Sequence, residues 1–159
     1  MKPPRIYLMS ALTLCLTALA MPVYAADQAE ISAYFRAGVE HGRDNDYTGG
    51  IAYFDKVIVL MPAQPSDPGE AINLASAYYN RGTLKAKLED YQGAVADFDQ
   101  AIALRSDYAN AYDNRATAKN QLQDFSGAIS DWEKGLELNP KLKDDIQPQI
   151  DQAKAQLKQ

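Results

Sequence analysis

Apolar and polar positions between residues 75 and 142 follow one 34-residue pattern written twice. With 75–108 set above 109–142, Tyr78 falls over Tyr112, Leu88 over Leu122, Tyr91 over Phe125 and Phe98 over Trp132. Ile102 falls over Leu136 and Leu104 over Leu138. The polar and small positions keep the same register: Asn80-Arg81 over Asn114-Arg115, Asp90 over Asp124, and Gly93-Ala94 over Gly127-Ala128. A fixed period of this length predicts a solenoid of stacked supersecondary units. Each copy reads as a helical hairpin that cannot bury its apolar face alone, so copies must stack.

A third, weaker copy spans 31–62. Tyr34 aligns with Tyr78, Gly38 with Gly82, Asp46-Tyr47 with Asp90-Tyr91, Gly50 with Ala94, Phe54 with Phe98 and Leu60 with Leu104. About ten extra residues follow it, and Pro62, Pro65 and Pro68 forbid a continuous helix there. Asp67-Pro68 reads as an N-cap followed by proline at the first helical position, so the next helix starts early and projects beyond a standard copy. The pattern places first helices near Ile31–Arg43, Gly69–Leu88 and Asn110–Leu122, and second helices near Thr48–Leu60, Gln92–Leu104 and Ser126–Leu138. Asp46, Asp90 and Asp124 stand where they can cap the second helices, worth about 1 kcal/mol each. Small residues at Gly38, Gly82 and Ala116 are expected to face Gly50, Ala94 and Ala128 at the helix crossings. Gly49-Gly50 and Gly93 are likewise ascribed to close packing. Tyr34, Tyr78 and Tyr112 are expected to fill space between copies, as are Phe54, Phe98 and Trp132. The segment 144–159 carries Ile146, Ile150, Ala153 and Leu157 on one stripe of an otherwise polar helix, as a terminal cover requires. Asp144 or Asp145 would cap it, and Pro148 falls in or near its first turn.

These columns resemble the tetratricopeptide repeat, a pattern of large, small, small, aromatic, small and proline positions. The resemblance implies an all-α fold: a right-handed α-solenoid of three helical hairpins (31–62, 75–108, 109–142) with a C-terminal capping helix (144–159). Arg81 and Arg115 stand where the family more often has leucine, Lys85 and Lys119 where it often has tyrosine, and Ser106 where proline is usual. The Asn-Arg pairing is a common family variant; such an arginine can lay its stem on apolar surface and reach a carboxylate, for which Asp97 and Asp131 are candidates. The family receives an extended peptide or a helix on a concave face built mainly from first helices. Carried over, that face comprises Phe35, Arg36, Val39, Arg43, Ser76, Tyr79, Asn80, Thr83 and Lys87. In the last copy it comprises Asn110, Asp113, Asn114, Thr117, Asn120 and Gln121. Arg36, Arg43 and Lys87 oppose the single acid Asp113, which implies a mildly basic groove, and Asn80 and Asn114 could each donate to and accept from a peptide backbone. One subgroup clamps a C-terminal carboxylate with Lys and Asn, then Asn, then Lys and Arg. Here those positions hold Phe35 and Val39, then Asn80, then Asn110 and Asn114, so only Asn80 agrees and the carboxylate would lack its cations.

Residues 1–25 stand apart from this pattern. Lys2 and Arg5 precede a nearly unbroken apolar run from Ile6 to Ala20, and Val23-Tyr24-Ala25 offers small residues for cleavage. The pattern predicts a secretory leader cleaved after Ala25, the alternative being an uncleaved membrane anchor. The run of about 15 residues falls short of the roughly 20 a spanning helix needs, so no stable membrane insertion is expected after cleavage. Cys15 would leave with it, and residues 26–159 would form one cysteine-free domain with no disulfide. Cleavage removes two of the 16 basic residues and none of the 21 acidic ones, taking the net charge from −5 to −7. An acidic chain without a basic cluster is a poor nucleic-acid binder. With one histidine, His41, a multi-histidine metal site is excluded. The acid neighbours Glu89-Asp90 and Asp144-Asp145 read as turn and cap residues, and Asp97 and Asp99 as residues of a solvated helix. No glycine loop cradles a phosphate, and no cofactor is implied. The expected function is that of an exported, non-enzymatic adaptor or scaffold that binds a protein or peptide in its groove, with a role in assembly. The alternatives are a self-associating structural protein, as a homo-oligomer, and more distantly an enzyme accessory subunit.

Overall fold

The computed structural model describes residues 28–158, and the leader 1–25 lies outside them. The described residues form only helices and turns. In chain order these are α1 (28–43), α2 (Tyr47–Leu60), α3 (Pro68–Lys87), α4 (Tyr91–Leu104), α5 (Ala109–Gln121), α6 (Phe125–Leu138), a 3-10 turn (Pro140–Leu142) and α7 (Lys143–Gln156). The pairs α1–α2, α3–α4 and α5–α6 are the three hairpins, and α7 covers the last. Boundaries fall within one residue of the sequence reading, except that α1 reaches back to residue 28 and α7 ends at Gln156 rather than 159. The Asp67 carboxylate caps Gly69 and Glu70, and α3 runs 20 residues against 13 for α5, so the projecting helix is present.

Each hairpin turns through the same two-residue device. The second residue after the first helix, Asn45, Glu89 or Gln123, is left-handed at φ 64°, 62° and 64°. The next residue is the aspartate. Its N–H closes back on the first helix, from Asp46 to His41 O, Asp90 to Lys85 O and Asp124 to Lys119 O. Its carboxylate then accepts from the third residue of the second helix, Gly49, Gly93 or Gly127, at 2.9–3.0 Å. This changes the reading of Gly49 and Gly93. They sit at caps rather than crossings, and a Cβ there would lie 2.2 and 2.1 Å from the capping carboxylate oxygen. Gly50 is a true crossing residue, with Gly38 O 3.0 Å from where its Cβ would stand.

Buried Phe54, Phe98 and Trp132 occupy equivalent places in the three hairpins. Phe54 clusters with Val57, Leu74 and Ala77, while Phe98 meets Ala94 and Ala118. Trp132 meets Ile146, Ile150 and Ala153 of α7. Tyr34, Tyr78 and Tyr112 are only half-buried, and each lies under a cation: Lys56, Arg81 and Arg115 respectively. Asp144 and Asp145 make no cap. Leu142 precedes α7 without a side-chain bond, and the two acids lie in the first turn facing the positive end of the helix.

A charged ladder stitches successive hairpins. Arg81 donates to Asp97 within its own hairpin and to Asp55 of the hairpin before it. Arg115 repeats this with Asp131 and Asp99, and Lys85 and Lys119 complete the two sets at 2.9 and 2.8 Å. At the end Lys154 of α7 reaches Glu133 at 3.1 Å. Asp97 is 3% exposed and Asp131 5%, so the expectation of a solvated Asp97 fails; Asp99 is indeed exposed. In the first hairpin the Asp97 column holds Tyr53 and the Lys85 column holds His41, and their rings pack at 5.0 Å.

Candidate functional site

The first helices α1, α3 and α5 stand side by side and present the residues assigned to the groove. Two clefts lie between them, and a third lies along α1. The cleft between α1 and α3, about 310 Å³, has a floor of Ile31, Phe35, Val57 and Met61 and a rim that includes Arg36 and Ser76. Phe35 is fixed there by an edge-on contact with Phe54, ring centroids 5.4 Å apart. Along α1, Phe35, Arg36, Val39 and Arg43 line a shallower hollow together with Glu40. The cleft between α3 and α5, about 270 Å³, is floored by Ala86, Tyr91, Phe98 and Ala118 and rimmed by Thr83, Lys87, Asn114, Thr117 and Gln121.

Tyr79 sits between the clefts, half-buried, with its ring 5.9 Å from Phe98 and 4.8 Å from Tyr108. Burial pushes the hydroxyl pKa of both tyrosines up, so neither ionises in the neutral range. The asparagines are less free than the sequence reading supposed. Asn80 Nδ2 donates to Ser76 O of its own helix at 2.7 Å. Asn114 Nδ2 donates to Tyr79 Oη at 3.2 Å and Thr83 Oγ1 at 3.3 Å, which leaves its carbonyl oxygen as the group to meet a ligand. Thr83 Oγ1 in turn donates to Tyr79 O. Asp113 is half-buried and accepts from Trp132 Nε1 at 3.0 Å, and burial raises its carboxyl pKa above the ordinary value. Arg36, Arg43, Lys87 and Thr117 are exposed, and Asn120 is half-buried on α5. Sequence reasoning missed the cleft floors, Val57, Met61, Tyr91 and Phe98. Those side chains come from second helices or, for Met61, from the residue that ends one, and only packing brings them under the first.

A tetratricopeptide repeat family model matches residues 75–108, the copy with the fullest pattern. The fold is also that of solved tetratricopeptide domains. The second such domain of human RPAP3, solved with an HSP70 peptide, has a TM-score of 0.69 at 23% identity, over 80% of this chain and 98% of that one. MamA gives 0.68 at 23%, over 84% and 71%. The TPR2B domain of yeast Sti1, solved with a peptide described as pHsp70, gives 0.63 at 21%, over 79% and 93%. Residues 75–108 are a tetratricopeptide repeat, and the chain has the fold of tetratricopeptide domains. No curated protein sequence matches it.

The tetratricopeptide columns also show what this groove does without. At the positions that would clamp a terminal carboxylate, Phe35 and Val39 are half-buried apolar residues packed on the core, and the Asn80 amide is turned back on its own helix. Among the described residues no group of three His, Cys, Asp or Glu side chains could hold a metal ion, and no helix is long and apolar enough to cross a membrane. His41 Nδ1 lies 2.7 Å from Asp46 Oδ2, but Asp46 Oδ1 is engaged as a helix cap, so the pair belongs to the turn.

Proposed function

We propose that this chain is an adaptor that binds a protein or peptide along α1, α3 and α5, and that it does so after export, as a scaffold or assembly factor rather than an enzyme. The observation that carries the reading is the pair of apolar-floored clefts on one face, each rimmed by hydrogen-bonding side chains and a cation. The solved neighbours that hold HSP70 peptides support a peptide ligand on this fold. The leader 1–25 is the support for export, and the mass of the mature protein tests it: the expected N-terminus is Ala26. Tyr79→Ala is a poor probe of the groove, because it removes packing on Phe98 and Tyr108. Exposed Thr117 is better. Thr117→Trp fills the α3–α5 cleft and should abolish capture of partners from an exported fraction, while Gln100→Trp on the exposed face of α4 should leave it intact. Equal capture by both variants refutes the groove.

Self-association is the second reading. Val59 is 81% exposed, Leu60 and Ile72 are also exposed, and Tyr34, Lys56 and Val59 help line a cleft of about 350 Å³ at the first hairpin. Light scattering across a concentration series decides it, since a mass fixed at one chain removes this reading.

A further inference from the structure

The mature chain is acidic, and most of its cations are already committed. Arg81, Lys85, Arg105, Arg115, Lys119, Lys134 and Lys154 are ion-paired, and Lys56 lies over the rings of Tyr34 and Tyr53. Apart from Lys141, Lys143 and Lys158 near the C-terminus, the described cations with neither a carboxylate partner nor a ring beneath them are Arg36, Arg43 and Lys87. All three stand on the groove. Arg36 rims the α1–α3 cleft and Lys87 the α3–α5 cleft. Glu40 shares the α1 flank with Arg36 and Arg43, which remains net positive. Asp113, the acid of the α5 flank, is held by Trp132 Nε1.

The two clefts are also set diagonally. Ser76 rims one and Thr83 the other, seven residues farther along α3. At 1.5 Å per residue that is about 10 Å along the helix. Crossing from the α1–α3 boundary to the α3–α5 boundary adds about 10 Å of interhelical spacing. The diagonal is therefore about 15 Å, which an extended chain covers in roughly four or five residues.

We infer, on the basis of the groove reading above, that the ligand is an acidic protein segment in extended conformation. It carries two apolar side chains four positions apart, which puts both on one face of an extended chain, one for each cleft, and carboxylates that meet Arg36 and Lys87. Because the terminal-carboxylate clamp is absent, the segment is internal and needs no free C-terminus. Asn114 Oδ1 accepts a backbone N–H at the α3–α5 end of it.

The test uses the mature protein and a fluorescent peptide blocked at both ends. It carries phenylalanine and leucine four positions apart and aspartate or glutamate at the remaining positions. Anisotropy should show saturable binding. It should weaken at least tenfold when lysines replace the acids, when the two apolar residues are made adjacent, and in Arg36→Glu with Lys87→Glu, whose melting should match the parent because both sites are exposed. Equal binding of the lysine peptide, or parental affinity in the charge-reversed variant, overturns the inference. A peptide with a free C-terminus that binds tenfold more tightly overturns the internal-segment assignment. A concentration-dependent rise in mass that Arg36→Glu abolishes assigns the face to a second copy and also overturns it. Failure of the groove reading looks different, because Thr117→Trp would then leave partner capture unchanged.

Discussion

Arg115 holds two acids at once, one buried and one exposed, and that asymmetry predicts how the stack breaks. Its guanidinium reaches Asp131 through Nε at 2.8 Å and Nη2 at 2.6 Å, and Asp99 through Nη1 at 2.6 Å. Arg115→Met keeps the stem over Tyr112 but removes the charge. Asp131, 5% exposed, is left with Lys119 alone at 2.8 Å. Breaking a buried ion pair from one side costs about 3–5 kcal/mol. The surviving lysine offsets part of that, so the expected loss is about 2–4 kcal/mol. Asp99→Asn removes the other partner, whose side chain is 51% exposed, and should cost under about 1 kcal/mol. Arg115→Met with Asp131→Leu removes the orphaned carboxylate and should recover at least about 1 kcal/mol relative to Arg115→Met alone. Urea unfolding followed by far-ultraviolet circular dichroism gives the midpoints for all three and for Asp131→Leu alone. If Asp99→Asn costs as much as Arg115→Met, or the double variant costs the sum of its parts, burial of Asp131 is not what makes the ladder matter. Arg81, Asp97 and Asp55 provide an internal repeat of the experiment.

The glycines give a contrast in sign: Gly82→Ala places a Cβ 3.0 Å from Phe98 and 3.2 Å from Ala94 O, and should destabilise by about 1 kcal/mol after the helix-propensity gain. Gly135→Ala meets nothing closer than 3.6 Å and should stabilise by about 0.5–1 kcal/mol, both read as thermal midpoints. Glu89, at φ 62°, bears a left-handed backbone that glycine adopts freely, so Glu89→Gly should stabilise by about 0.5–1 kcal/mol, and a loss in the urea midpoint would refute the strain. The Gly49 N–H and then His41 hold the Asp46 carboxyl below its ordinary 3.8. The stability it contributes is thus complete above that value and is lost as pH falls through the lower folded one, so an acid titration should show a shallower acid limb in Asp46→Asn.

Much of the fold could be read from residue columns because the deciding interactions are local. The Asp-aromatic-X-Gly run that ends each turn places a cap three residues before the N–H it accepts, and Pro68 after Asp67 starts α3 for the same short-range reason. Asp144 and Asp145 misled because their sequence context is equally local in look, yet the 3-10 turn at Pro140–Leu142 sets the helix start before them. The groove was less legible. Position names Asn80 and Asn114, but it does not say that the Nδ2 of one turns back on its own helix and the Nδ2 of the other is engaged by Tyr79 and Thr83.

By itself the sequence determined the hairpins, their number, their turns and the cover at the end, since each depends on propensity, capping and spacing within a few residues. Tertiary structure alone decided which charges are buried and which face can bind. Asp97 and Asp99 are both aspartates two residues apart on one helix, and nothing in their composition separates them. Only the approach of α3 puts Arg81 and Lys85 around the first, and only stacking sets the second against the next hairpin's Arg115. The same stacking brings Phe98 beneath Thr83 and Asn114, because a cleft is made by neighbours in space.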